Sequence, residues 1–297
     1  MNGLLLVDKP RGITSHDVVW RVRRAVRDRT VGHAGTLDPM ATGLLVVLLG
    51  KATRLSAWLT LDRKRYLTTV RFGVSTASLD ADGEVTARVP DGTPSPSPEA
   101  VREAVSKRLG PMLQVPPAVS AIKVDGVPMH ERARRGEEVE LDARPVTLER
   151  AEVLAVRDHE CDLDLTVSKG FYVRSFARDL AADLGTLGHL TALRRTESGV
   201  FTVDEAVAPE TLDAAARGDD DARQRVLSKV APVSSAARAM RSITVSADAA
   251  IALGHGKRLP CEADDGVALV LSEGGDVVCV ANVAEGVMTV ARGFGGA

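Results

Sequence analysis

The sequence predicts an α+β chain, in which a large region of alternating helices and strands is followed by a small β-rich domain from Ile243 onward. Three observations carry this. The chain has 297 residues, 44% of them hydrophobic, which is close to two domains of roughly 150 residues each. Period-two alternation at Tyr66–Phe72 and at Cys161–Val167 marks strands, and helical spacing marks segments between them. Beyond Ile243, three short apolar runs (267–271, 277–283 and 287–292) are separated by Glu273-Gly274-Gly275 and Glu285-Gly286, the punctuation of a small sheet.

Taken in order, Leu4–Val7 is a short buried strand that ends in the turn Lys9-Pro10-Arg11-Gly12. Thr14 with Asp17 three residues on forms a capping-box start. Val18, Val19, Val22, Ala25 and Val26 then recur at helical spacing and leave Arg21, Arg23, Arg24 and Arg27 on the other side. The stretch GHAGTLDPMATG (32–43) reads as a long loop, because Gly, Pro and Thr break regular structure. Leu44–Leu49, closed by Gly50, is a buried strand, and a helix precedes the half-buried strand carrying Tyr66, Thr68, Val70 and Phe72. The spacer 90–98 is extended and exposed. Ser97 caps the helix that follows, with Pro98 in its first turn. Residues 111–143, rich in Pro, Gly and charge, read as a mobile excursion from the sheet. A strand through Cys161, Leu163, Leu165 and Val167 leads over Ser168-Lys169-Gly170 into a helix with Phe176, Leu180 and Leu184 on one face, stopped at Gly185. Residues 204–240 read as helical around an acidic loop at 218–221.

Composition narrows the function classes. Net charge is −2, yet residues 1–75 hold 13 Lys/Arg against 5 Asp/Glu, while 76–199 hold 16 against 21 and 200–297 hold 9 against 14. A basic block inside a near-neutral chain fits a polyanion footprint as well as an ordinary solvated helix face. Three cysteines, Cys161, Cys261 and Cys279, lie far apart with no CxxC pair, which fits a reducing cytosol. His159 and Cys161 share a strand face, but no second ligand pair has zinc spacing, and Cys161 continues the apolar alternation. Leu4–Val7 is too short for a signal-peptide core, and Leu44–Leu49 is far short of a membrane span. The expectation is a cytoplasmic protein with no metal and no membrane segment.

Aspartate before proline is ordinarily a turn former, and no Gly-Lys-Ser/Thr follows the glycines of 32–43, so this loop is no nucleotide-phosphate cradle. Its context is more specific. The segments GLLLVDKPRGITSHD (3–17) and VGHAGTLDPMATGLLVVLLGKATR (31–54) resemble the two signature motifs of the TruB family of bacterial tRNA pseudouridine-55 synthases. Further similar segments follow in order: KRYL (64–67), SAIK (120–123), ARPV (143–146), SKGFYVRSFARDLA (168–181) and GHLTALRRTESG (188–199). Together they cover about residues 1–205.

The resemblance implies isomerisation of uridine-55 in the T loop of tRNA. The C1′–N1 bond breaks, the detached uracil turns, and C1′ joins C5, so nothing is added or lost and no cofactor is required. The step needs an ionised carboxylate at the ribose, whether it adds to C1′ or removes the C2′ proton. The resemblance puts Asp38 in that role, with Arg174 as the cation that favours its charged form and Tyr66 stacked on the target uracil as a late proton acceptor. It implies that His33 fills the gap left by a flipped base, that Leu193 walls the uracil pocket and that Tyr172 lines it. Lys9, Arg11, Arg21, Arg24 and Lys169 are candidate phosphate contacts. Individually, each of these residues also has an ordinary structural reading: a core tyrosine, a loop histidine, a solvated charge.

The implied fold is a pseudouridine synthase catalytic domain over 1–240, a mixed, mainly antiparallel sheet with peripheral helices. A thumb-like insertion at about 111–143 and a small PUA-like domain over 241–297 complete it. The implied partner is the T arm of tRNA, bound by a monomer that requires no protein partner. One departure stands out: Ala77 occupies a position where relatives often carry an acid before the Asp-x-x-Gly turn, so support for Arg174 must come from elsewhere. Two other readings remain open, a catalytically silent tRNA-folding protein and a synthase acting on another RNA.

Overall fold

The computed structural model describes residues 1–60, 63–118, 123–124, 127–128 and 141–294. Two compact units emerge, one of Met1–Asp38, Gly43–Leu61 and Gly199–Ala297, the other of Pro39–Thr42 and Asp62–Ser198.

In the first unit, strand Gly3–Lys9 pairs antiparallel with Thr42–Leu49, Gly3 opposite Leu49 and Lys9 opposite Gly43. Seven of the eight residues of Thr42–Leu49 are buried, as expected of a continuous apolar run enclosed on both faces. Helix Ser15–Val26 carries the expected capping box: Asp17 N–H donates to Thr14 Oγ1 at 3.1 Å, and Thr14 N–H donates back to the Asp17 carboxylate at 2.7 Å. Its five expected apolar positions are all buried. Helices Pro209–Arg217 and Asp220–Ser228 pack beside it. The C-terminal strands form a five-stranded sheet, in which Ser242–Val245 runs parallel to Gly266–Ser272 and the other pairs are antiparallel. Leu269, Val280 and Phe294 of this region share one core with Leu44, Val46 and Leu48. Helix Ala247–Gly254 was not expected. Its alanines favour helix, and Ser246 caps it by accepting from Ala249 N–H at 3.4 Å. Cys279 is buried and Cys261 half-buried in the same module.

The second unit is built on five antiparallel strands in the order Gly188–Ser198, Lys64–Phe72, Glu160–Val167, Arg144–Arg157, Gly110–Gln114. Burial alternates along Lys64–Phe72 as expected, with Tyr66, Thr68, Val70 and Phe72 inward. Helix Val173–Asp183 packs on the edge at Gly188, where a Cβ would stand 2.6 Å from Ala181 Cβ, so only glycine admits the helix this closely. Helix Pro98–Lys107 starts at the expected cap, with Ala100 N–H donating to Ser97 Oγ at 3.2 Å.

Two expectations change. Gly32–Ala34 is not loop: Val31–Ala34 is a strand, with His33 opposite Val47. Small residues at 32 and 34 suit a short strand against a fully buried neighbour, and pairing with Val46–Leu49 holds it in the sheet. Pro111–Gln114, read as the start of an excursion, pairs with Arg144–Thr147 inside the sheet. The remainder of that expected thumb, with the SAIK segment, falls largely outside the described residues.

Candidate active site

Asp38 lies half-buried four residues after strand Val31–Ala34, and the chain before it is fixed from the helix start. The hydroxyl of the buried Ser15 accepts from Leu37 N–H at 2.9 Å and donates to Leu37 O at 3.1 Å. Both main-chain groups of the residue preceding Asp38 are thereby held by one side chain. The turn that delivers Ser15 is itself locked. Lys9 is fully buried, and its ammonium donates to Pro10 O at 3.0 Å and Ile13 O at 2.7 Å. Lys9, a candidate phosphate contact by sequence, thereby clasps this turn. His33 is half-buried on the short strand.

The other expected phosphate contacts of this unit divide. Arg11 is exposed. Arg21 pairs with Asp213 at 2.5 Å, which commits its charge within the helix layer. Arg24 donates through Nε to Ala216 O at 3.0 Å and lies over the Trp20 ring, 5.0 Å from its centroid. The backbone carbonyl orients this guanidinium without neutralising it.

In the second unit, Tyr66 is 7% exposed and stands opposite Leu165 on one side and Arg195 on the other. Leu193 stands opposite Thr68, so Tyr66, Thr68, Leu193 and Arg195 share one face of the sheet. Arg174, the second residue of helix Val173–Asp183, is buried. A cation is disfavoured at a helix start, and its compensation is explicit. Arg174 donates to Ser78 O at 2.8 Å, and its guanidinium lies 3.7 Å from the buried carboxylate of Asp80. Asp80 is in turn built into a tight turn. Its Oδ1 accepts from Ser78 Oγ at 2.5 Å and from Asp82 N–H at 3.2 Å, while its carbonyl accepts from Thr76 Oγ1 at 2.7 Å. Gly83 closes the turn, since a Cβ there would stand 2.2 Å from Ser78 Oγ. Ala77 faces outward on this turn, so the missing acid leaves the Arg174–Asp80 pair intact.

Tyr172 is the residue that caps this helix, and Gln114, 1% exposed, clamps its backbone. The Gln114 side chain accepts from Tyr172 N–H at 2.7 Å and donates to Tyr172 O at 3.1 Å. Ser175 Oγ donates to Val115 O at 2.8 Å. Lys169 is exposed on the loop before the helix. Asp80 and Gln114 escaped the sequence reading. Asp80 had a visible signal in the Asp-x-x-Gly turn, whereas nothing local marks Gln114. Among the described residues, no group of three or more His, Cys, Asp or Glu is placed to hold a metal ion.

A second ionic cluster, built around the buried Asp164, braces the tyrosine strand. Arg65 donates to both carboxylate oxygens of Asp164 (2.6 to 3.2 Å) and to Glu197 at 2.9 Å. These donors hold the Asp164 carboxyl below the usual carboxylate range. A depressed folded pKa contributes stability above the unfolded value, about pH 4, that is lost as pH falls through the folded value. Asp164→Asn is accordingly expected to lower stability at pH 7 by about 2 kcal/mol, with the gap to wild type closing below about pH 4. Urea denaturation across that range checks it.

The structure titled "Crystal Structure of a Cbf5-Nop10-Gar1 Complex" superposes with a TM-score of 0.75 over 99% of this chain and 85% of that one, at 22% identity. At that identity the match concerns the fold alone. The family follows from sequence. The model for the TruB family pseudouridylate synthase N-terminal domain matches residues 23–173, and that for the tRNA pseudouridylate synthase B C-terminal domain matches 174–238. Relatives named tRNA pseudouridine synthase B include those of Arthrobacter sp. (strain FB24), 46% identical over 90% of this chain and 85% of the relative. Another is that of Cutibacterium acnes, 43% identical over 94% and 92%. The chain belongs to the TruB family of pseudouridylate synthases, and it is a pseudouridine synthase.

Proposed function

We propose that this enzyme converts uridine-55 in the T loop of tRNA to pseudouridine, with Asp38 as the reacting carboxylate. The observation that carries the reading is the double anchorage of Leu37 by Ser15, which fixes the backbone on which Asp38 is presented. The tRNA substrate is supported by the names of the relatives. Anchored backbone is what a group needs if it must meet one ribose carbon in one geometry.

In the reaction, Asp38 either bonds to C1′ or takes the C2′ proton as the C1′–N1 bond breaks. Uracil turns and C5 bonds to C1′ as the Asp38–C1′ bond breaks or, on the other route, as Asp38 returns its proton to C2′. The C5 proton then leaves and N1 ends protonated, so atoms and charge balance and Asp38 is regenerated without a cofactor. Arg174, held by Asp80 and Ser78 O, supplies the cation that favours ionised carboxylate. Tyr66 stacks on the uracil and receives the C5 proton late, and Leu193 walls the base. His33 occupies the space that the flipped uridine vacates, Tyr172 lines the pocket, and Lys169 and Arg11 meet phosphates. The described helices include none long and apolar enough to cross a membrane. We assign the enzyme to the cytoplasm, acting as a single chain.

Tyr66→Phe keeps the stacking ring and removes the hydroxyl. It should lower kcat by about 10²-fold with KM for tRNA little changed, measured by tritium release from C5-labelled uridine. A rise in KM with kcat unchanged would assign Tyr66 to binding only.

A further inference from the structure

A cavity of about 530 Å³ opens between helix Ser15–Val26, its C-terminal turn and the helix pair Pro209–Arg217 and Asp220–Ser228. Six arginines line it, Arg23, Arg24, Arg27 and Arg29 from one side and Arg217 and Arg223 from the other. Among the described residues lining it, one carboxylate, Asp28, opposes them. Three of the six are aimed by the backbone: Arg23 donates to Val31 O, Arg24 to Ala216 O and Arg223 to Ala25 O, each at 3.0 Å. A carbonyl orients a guanidinium and leaves its charge and most of its N–H groups available. The Nε of Arg23 is buried and makes no hydrogen bond among the described residues. Arg27 lies 3.8 Å from Asp220, with both side chains largely exposed. Trp20, at the rim, is 54% exposed and carries the Arg24 guanidinium over its ring.

This is not the pattern of a solvated helix face. Such a face interleaves acids with its bases or leaves the bases mobile, and it does not keep an indole in water. Oriented, uncompensated guanidinium groups beside an exposed aromatic ring are the components that hold an RNA strand: charge for phosphates, a flat apolar surface for a sugar or base. We propose that this groove is a second RNA-binding site of the enzyme, which grips the sugar–phosphate backbone of the substrate RNA. The proposal rests on the RNA-modifying reading of Asp38 and adds a grip built from residues that take no part in the chemistry.

The test uses unmodified tRNA transcript and the Arg29→Glu/Arg217→Glu double variant. Among the described residues neither side chain has a partner to lose, so the fold stays. Loss of two phosphate contacts should raise KM about tenfold at 0.15 M salt and flatten the slope of log KM against log salt by about 2, with kcat at saturating RNA retained. RNA should also quench tryptophan fluorescence in the wild type and not in Trp20→Phe. Unchanged KM and slope, or equal quenching in Trp20→Phe, would overturn the proposal. So would quenching by inorganic tripolyphosphate with none by RNA, which assigns the groove to a small polyanion. Wild-type quenching without any pseudouridine formed would instead sink the catalytic reading and leave the groove standing.

Discussion

Asp38→Ala is expected to reduce pseudouridine formation by a factor on the order of 10⁴ or more, while tRNA binding stays close to wild type. The argument is local. The loop reaches Asp38 through Leu37, whose N–H and C=O are both held by Ser15, and through a turn whose fully buried Lys9 donates to two carbonyls. None of these bonds uses the Asp38 carboxylate, so the substitution should leave the presenting backbone in place. What disappears is the only group in the proposed chemistry that bonds to C1′ or takes the C2′ proton. Single-turnover conversion and filter binding on the same preparation check the two halves. Ser15→Ala should show a weaker version of the effect, because a freed Leu37 lets Asp38 wander from its reacting geometry.

The second large effect is at Asp80. Asp80→Ala leaves the guanidinium of Arg174 buried at a helix start with a backbone carbonyl and no counter-charge from that turn. Breaking a buried pair from one side costs about 3–5 kcal/mol, so Asp80→Ala should show a clearly lowered Tm. If Arg174 also serves the reaction, kcat falls about 10²-fold or more, with KM for tRNA little changed. The double variant Asp80→Ala/Arg174→Met separates the two roles, since replacing both partners with apolar volume is often near neutral for stability. It should recover much of the lost Tm and none of the lost kcat. Recovery of both would mean that the pair is structural only.

How much of this was legible in the sequence follows the range of the forces involved. Helix Ser15–Val26 was readable to its cap because Thr14 and Asp17 satisfy each other three residues apart. Lys64–Phe72 was readable because its two faces meet different environments, and residue type tracks that alternation. Gly188–Ser198 gave no such signal. Its register shifts between Leu190 and Ala192 and again between Arg195 and Glu197, and it buries His189 and Arg195 where a strand pattern leads one to expect apolar residues. Gly32–Ala34 departs from its reading because glycine content argues for a loop, whereas pairing with Val46–Leu49, a tertiary contact, decides for a strand.

The candidate site divides in the same way. Asp38, Tyr66 and Arg174 stood out through motifs, yet the sequence said nothing about what holds them. Ser15 reaches Leu37 across 22 residues, Asp80 meets Arg174 from a distant turn, and Gln114, at the end of a strand, clamps the helix cap Tyr172. Such partners are chosen by tertiary geometry, which no local pattern encodes. The clasp made by Lys9 is hidden in the sequence for a related reason. A lysine after a strand is usually solvated, and only the folded turn reveals that its ammonium points inward to two carbonyls.

The central claim, that this enzyme isomerises one uridine of tRNA by way of Asp38, is tested most directly by mapping pseudouridine at nucleotide resolution. The substrate is unmodified tRNA transcript treated with the wild type and with Asp38→Ala. The account predicts conversion at position 55 by the wild type and none by the variant. Conversion at another uridine, conversion by Asp38→Ala, or tight binding with no pseudouridine from either protein would contradict it.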